Sequence, residues 1–240
     1  MDLSSPQSVA VARHFGLFGP ALAAIIVAAV TEGKSGVKAL LSRVVRWRVG
    51  LPWYVIALGL PTVLSLATAG LNYLLGAPAF VQVGSLTGFD LVLFVLVVGE
   101  ELGWRGYALP RLLEKRSPLI ASLILGVLWG LWHLPTFLVP GTPQYGLPLV
   151  AFVLLTIEYS ILMTWVFLHT LGSVLIATLF HGAINLSQGL FLGSVEGATR
   201  YWLLCIVYGV AALVVSLILG VSSRRNRTEE RRAPVQATDA

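Results

Sequence analysis

The chain has 240 residues, of which 57% are hydrophobic and 11% are charged, and its formal net charge is +5. Its mean hydropathy is +0.85. A water-soluble fold could not bury this much apolar surface, so the composition excludes an ordinary soluble domain and indicates an integral membrane protein. The positive charge then fits contacts with anionic lipid and gives no indication of nucleic-acid binding.

Apolar segments recur along the chain, each close to the roughly 20 residues that a helix needs to span a bilayer. The predicted spans are residues 15–31, 51–75, 91–113, 119–139, 147–168, 173–192 and 201–221. Only residues 169–172 separate the fifth span from the sixth, which predicts a tight turn there. The predicted fold class is therefore all-α, a polytopic transmembrane helical bundle of about seven spans.

We assign residues 1–221 to one domain and expect the polar, basic tail 222–240 to be disordered. Basic residues follow the first, third and seventh spans, at Lys34–Arg48, Arg111–Arg116 and Arg224–Arg232. Because cytoplasmic loops retain Lys and Arg, this pattern predicts an N-terminus outside and a C-terminus in the cytoplasm. A prokaryotic plasma membrane is the expected location.

The loop after the first span predicts an amphipathic interfacial helix. Between Lys34 and Arg48, charged residues alternate with Val37, Leu40, Leu41, Val44, Val45 and Trp47. Such a helix can lie on an anionic inner leaflet. An alternative is that the first span is a cleaved signal peptide. Cleavage would leave this basic loop outside, against the charge bias, so we favour a retained span.

The third span contains Glu100, Glu101 and Arg105. Ionisable groups in hydrocarbon are costly unless they pair or line a cavity, so they are candidates for a functional site. Glu101 and Arg105 are four residues apart and share a helix face, whereas Glu100 is turned by about 100°. We expect Arg105 to neutralise Glu101 and Glu100 to face a pocket as a general base. Alternatively, all three form a buried ion-pair network that fixes helix register.

Two further spans carry candidate site residues. His133 lies one turn after Trp129, and His181 lies one turn before Asn185. Packing of a lone histidine, or hydrogen bonding between helices, would also account for these residues. Glu158 in the fifth span predicts either a supporting partner of a pocket histidine or part of a proton relay.

The depths of these residues are compatible with one site. At about 1.5 Å per residue, Glu100, His133 and His181 all lie very roughly 13 to 23 Å from the cytoplasmic boundary. We therefore expect a common site near the middle of the membrane.

Three motifs in this order resemble those of the CPBP family of intramembrane endopeptidases, the CAAX-type prenyl protease type 2 and bacteriocin-processing, abortive-infection-like family. They are GEELGWR at 99–105, WGLWHLP at 129–135 and HGAIN at 181–185. One departure is Trp129, where the family pattern often has Phe. The resemblance implies a protease domain whose motifs lie within residues 99–185.

The same resemblance implies roles for individual residues. Glu100 matches the catalytic glutamate, and His133 matches its partner in activating water. His181 and Asn185 match the pair that stabilises the oxyanion. Peptide hydrolysis needs such a base, and it needs donors where negative charge develops on the carbonyl oxygen.

Glu101 and Arg105 match the family's supporting pair. The predicted function is an intramembrane endopeptidase without a cofactor, acting on a peptide or a lipidated protein that the sequence does not specify.

One alternative is a protease that depends on a divalent metal such as zinc, bound by Glu100, His133, His181 and Asn185. A proton-coupled transporter and a non-catalytic membrane scaffold are the alternatives from other classes.

Overall fold

The computed structural model describes residues 6–77, 80–81, 83–85, 87–142, 144–193, 195 and 197–232. The secondary structure of these residues is helical, with no strand among them, which confirms the all-α prediction. Of the predicted disordered tail 222–240, the residues up to Arg232 continue the last helix. The remaining residues, 233–240, lie outside the described part of the chain.

The elements follow one another as a series of long helices with one interrupted region. They are α1 (Pro6–Ser42), α2 (Leu51–Leu74), α3 (Gly88–Leu96), α4 (Val98–Glu101), a π-helical segment (Leu102–Ala108), α5 (Leu109–Leu113), α6 (Pro118–Trp132), α7 (Leu134–Leu138), α8 (Leu149–His169), α9 (Val174–Phe191) and α10 (Gly197–Arg232). Within the described residues, six helices are long and apolar enough to cross a membrane. The predicted transmembrane bundle is thereby confirmed.

The third predicted span, 91–113, is the one that differs from a simple helix. It is divided among α3, α4, the π-helical segment and α5. Gly103 lies so close to α1 that a Cβ atom there would meet the Cβ of Pro20 at 2.4 Å. Wide π-helical turns occur frequently at functional sites, and this one begins directly after Glu101 and contains Arg105.

Helix α8 is central and packs against α6, α9 and α10. Its contact with α6 depends on two glycines. A Cβ atom at Gly126 would lie 2.4 Å from the Cα of Ile157, and one at Gly130 would lie 2.6 Å from the Oγ1 of Thr156. Small residues allow the backbones of membrane helices to approach closely. This approach fixes the end of α6 that carries the second motif.

The predicted tight turn between the fifth and sixth spans is present. Helix α8 ends at His169 and α9 begins at Val174. Leu171 and Gly172 both have positive φ, 55° and 73°, and the amide of Gly172 donates to the carbonyl of Phe167 at 3.0 Å. The side chain of Ser173 then caps α9 by accepting from the amide of Ile176 at 3.2 Å. The turn thus places α9 directly beside α8.

The predicted interfacial helix is shorter than the segment from Lys34 to Arg48. Gly33 has φ 66° and ψ −155°, which bends α1, and the helix then continues only to Ser42. Leu40 is buried against the bundle, whereas Trp47 is exposed. Some apolar residues of the predicted segment therefore pack in the protein core, and others lie at the surface.

Arg43 connects this bend to the interrupted third span. Its Nη1 donates to the carbonyl of Gly106 in the π-helical segment at 2.9 Å. Burial, and secondarily the charge of Arg46, lowers the pKa of the Arg43 guanidinium. An arginine remains charged at physiological pH, so this contact persists.

We predict that Gly126→Ala destabilises the bundle, because the added methyl group would collide with the backbone of Ile157. The expected loss is about 1 to 3 kcal/mol, measured as a lower thermal unfolding midpoint in detergent by circular dichroism. Gly59→Ala is the matched control, because a Cβ atom there meets nothing within 4 Å. That change should leave the midpoint unchanged or raise it slightly. Equal shifts for the two variants would contradict the close packing of α6 on α8.

Candidate active site

The indole of Trp129 lies where the three motifs meet. Its Nε1 donates to Oε2 of Glu100 at 2.9 Å. The indole centroid lies 5.1 Å from the His181 ring centroid and 6.3 Å from that of His133, both in edge-on contacts. Trp129 is only 3% exposed. The structure therefore gathers the Glu100 carboxylate and both predicted imidazoles around one buried side chain.

The carboxylate of Glu101 has two cationic or potentially cationic partners. Nη1 of Arg105 donates to Glu101 Oε1 at 2.9 Å, so the ion pair expected from the spacing is present. Nδ1 of His181 donates to the same oxygen at 2.8 Å. Sequence reasoning missed this second contact, which joins α4 to α9 and sets the orientation of the His181 ring.

These charges lie entirely within the protein. The side chains of Glu101 and Arg105 are both 0% exposed. The Cζ of Arg105 lies 4.5 Å from the Trp129 ring centroid, a cation–π contact. Among the described residues, Oε2 of Glu101 and both Nε and Nη2 of Arg105 have no hydrogen-bond partner. Mutual attraction and the indole face are therefore what offset the desolvation of this pair.

His133 lies at a break between two helices. Helix α6 ends at Trp132 and α7 begins at Leu134, with Pro135 in its first turn. Nδ1 of His133 donates to the carbonyl of Trp129 at 2.9 Å. In the neutral imidazole, this bond leaves Nε2 with a lone pair that can accept a proton. The break therefore presents a histidine with a fixed tautomer.

Asn185 occupies a different environment from His181, although both lie on one face of α9. His181 is 5% exposed. Asn185, one turn later, is exposed, and its amide makes no hydrogen bond within the described part of the chain. The structure thus brings His181 into the cluster and leaves the side chain of Asn185 exposed on α9.

Glu158 lies at the interface of α8 and α10. Its Oε1 would be 3.1 Å from a Cβ atom at Gly209, and its Oε2 is buried without a hydrogen-bond partner among the described residues. No hydrogen bond joins it to either cluster histidine in that part of the chain. The adjacent Tyr159 does reach the cluster, with its ring 6.3 Å from that of Trp129. Sequence reasoning missed Tyr159, which had no polar motif to mark it.

The predicted metal ligands do not form a compact donor set. Among the described residues, no group of three or more His, Cys, Asp or Glu side chains could hold a metal ion. Glu100, His133 and His181 each contact the Trp129 residue instead of converging on one point. The metal-dependent alternative stays a prediction.

Known proteins resemble the part of the chain that contains this cluster. Residues 82–187 match the family described as type II CAAX prenyl endopeptidase Rce1-like. A segment of 116 residues is 39% identical to CAAX prenyl protease 2 of Methanococcus maripaludis. The match covers 43% of this chain and 42% of that relative. The chain thus spans about two fifths of the length of the curated relative that it matches. The resemblance read from the three motifs is confirmed for this segment.

We predict that Arg105→Met strongly destabilises the protein, because it leaves the Glu101 carboxylate buried with one partner fewer. Breaking a buried pair in this way costs about 3 to 5 kcal/mol, seen as a lower thermal midpoint. Arg111→Met is the matched control, because Arg111 pairs with Glu32 at the surface, where such a pair contributes about 0 to 1 kcal/mol.

A double variant tests whether the unpaired charge is the cause. Adding Glu101→Gln to Arg105→Met removes the orphaned carboxylate and should recover part of the lost stability. Equal effects of Arg105→Met and Arg111→Met would show that the buried pair has no special role.

Proposed function

We propose that this chain is an intramembrane endopeptidase that hydrolyses a peptide bond with a water molecule activated by Glu100 and His133. The observation that carries the proposal is the convergence of the three motifs on Trp129. One acidic side chain and two imidazoles thereby lie against a single buried indole. The similarity of residues 82–187 to prenyl endopeptidases supports the same reaction class.

Glu100 and His133 have complementary properties for water activation. Glu100 is 6% exposed, and within the described residues Trp129 is the only side chain that donates to it, so the carboxylate can accept a proton from water. His133 keeps Nε2 available because its Nδ1 is bonded to a carbonyl. The activated oxygen then attacks the carbonyl carbon of the substrate. A well-placed general base typically contributes about 10² to 10⁴-fold to the rate.

His181 and Asn185 are our candidates for stabilising the tetrahedral intermediate. Because Glu101 engages Nδ1 of His181, the opposite nitrogen, Nε2, is the one left for the substrate. A protonated ring would donate from Nε2 to the developing oxyanion. The exposed amide of Asn185 supplies a second donor. Loss of one such donor typically lowers the rate by about 10² to 10³-fold.

The burial of the cluster indicates where the substrate enters. Glu101 and Arg105 are completely buried, whereas His133 is half-buried and Asn185 is exposed. His133 is therefore the accessible member of the cluster, and Asn185 is accessible one turn along α9 from His181. We propose a prenylated protein as the substrate class, because the similar Methanococcus protein is named CAAX prenyl protease 2. A leader peptide is the competing substrate.

We predict that Glu100→Gln and His133→Ala each abolish cleavage, with losses of at least about 10²-fold, because each removes a group that activates water. The assay uses purified full-length protein in liposomes and a fluorogenic peptide, with and without a farnesylated C-terminal cysteine motif. Product masses identify the cleaved bond. Glu114→Gln is the control, since Glu114 is exposed at the end of α5.

The same assay separates the alternatives. A metal-free preparation should retain full activity in the presence of a chelator. Loss of activity that zinc restores would support the metal-dependent protease instead. A transporter would give substrate-driven proton flux and no peptide product, and wild-type cleavage by Glu100→Gln would refute the proposal.

We also propose that the C-terminus faces the cytoplasm, as the basic residues after the first, third and seventh predicted spans require. A fusion of alkaline phosphatase, which is active only outside the cytoplasm, should be inactive when attached after residue 240. A fluorescent protein at the same position should fluoresce. High phosphatase activity there would reverse the proposed orientation.

A further inference from the structure

We infer that Trp129 is a positioning residue for the reaction, whose indole N–H orients the Glu100 carboxylate. This inference rests on the proposed function of Glu100 as the general base. The main evidence for it is the 2.9 Å hydrogen bond from Nε1 of Trp129 to Oε2 of Glu100. Both side chains are buried, at 3% and 6% exposure, so water competes little for the bond.

The chemistry of the indole suits this role. An indole donates one hydrogen bond and accepts none, so it always presents a proton to its partner. The bond therefore turns Oε2 of Glu100 towards the indole and restrains the carboxylate that has to receive a proton from water. A phenylalanine ring at position 129 would fill similar space and provide no donor.

The surroundings hold the indole in place. The guanidinium of Arg105 lies over one face, with its Cζ 4.5 Å from the ring centroid. The rings of His181 and Tyr159 lie 5.1 and 6.3 Å away. These contacts come from the π-helical segment, α9 and α8, so the ring cannot turn without disturbing three elements.

Trp129 also joins the two groups that activate water. Its side chain holds Glu100, and its backbone carbonyl accepts the hydrogen bond from Nδ1 of His133. One residue, Trp129, therefore fixes the position of the proposed base, Glu100, relative to its partner, His133. This arrangement differs from the Glu101 contact, which orients His181 on the other side of the cluster.

The test is Trp129→Phe in the full-length protein, assayed in liposomes with the fluorogenic peptide. We expect kcat to fall by about 10- to 100-fold, as for loss of a hydrogen bond to a charged group, with KM nearly unchanged.

Trp132→Phe is the matched control on the same helix. Trp132 is 43% exposed, and its ring contacts Trp104 and approaches Gly19 instead of the carboxylate. This variant should keep the wild-type kcat and KM. Thermal midpoints of both variants in detergent report folding separately from activity.

A second background shows whether Trp129 acts through Glu100. Glu100→Asp keeps a carboxylate but shortens the side chain, which withdraws it from the indole. In that background, Trp129→Phe should lower the rate by less than about 2-fold, because interacting residues are not additive. Equal effects in both backgrounds would show that Trp129 acts independently of Glu100 and would overturn the inference.

The outcomes distinguish the inference from the function on which it rests. A normal kcat for Trp129→Phe, or a change confined to KM, overturns the positioning role while an inactive Glu100→Gln leaves the endopeptidase proposal standing. Full activity of Glu100→Gln overturns both. A lower kcat with KM nearly unchanged, together with a normal Trp132→Phe, supports the inference.

Discussion

One carboxylate oxygen, Oε1 of Glu101, is the point on which the rest of the structure depends. It accepts hydrogen bonds from Arg105 and His181 in a region where these side chains have almost no exposure. An isolated charge there would be prohibitively costly, so the three groups stabilise one another or the helices separate. Because Glu101 and His181 are 80 residues apart in sequence, their contact holds α4 against α9, the helices that carry parts of the first motif and the third motif.

Close helix packing provides the geometry for this contact. Gly103 allows the interrupted third span to lie against α1, and Gly126 allows α6 to lie against the backbone of α8. Gly182 has the same effect on the other side, where a Cβ atom would meet the ring of Phe94 at 2.6 Å. Without a hydrophobic driving force between helices in lipid, such approaches are a main source of packing energy. These three close approaches lie in the spans that carry the three motifs.

The two adjacent glutamates have different surroundings and, in our proposal, different tasks. Oε1 of Glu101 accepts hydrogen bonds from two groups that can carry positive charge, so the role of this oxygen is structural. Glu100 bonds to the neutral indole of Trp129, so its carboxylate stays available for proton transfer. The helical turn of about 100° between neighbours separates the two environments. A single pair of residues can thus supply both a support for the oxyanion histidine and a base for water.

The sequence by itself determined the fold class, the membrane location of the helices and the polar residues that gather in the cluster, but not Tyr159. Apolar runs of this length are stable as helices in a bilayer, and charged groups within them must pair or line a cavity. The sequence also paired Glu101 with Arg105, since helical spacing specifies which residues share a face. Only the tertiary structure decided which face meets which helix. It placed Trp129 at the centre, joined Glu101 to His181, divided the third span around a π-helical turn and set Glu158 against Gly209. Those contacts depend on the rotation and close approach of separate helices, which periodicity within one helix does not specify.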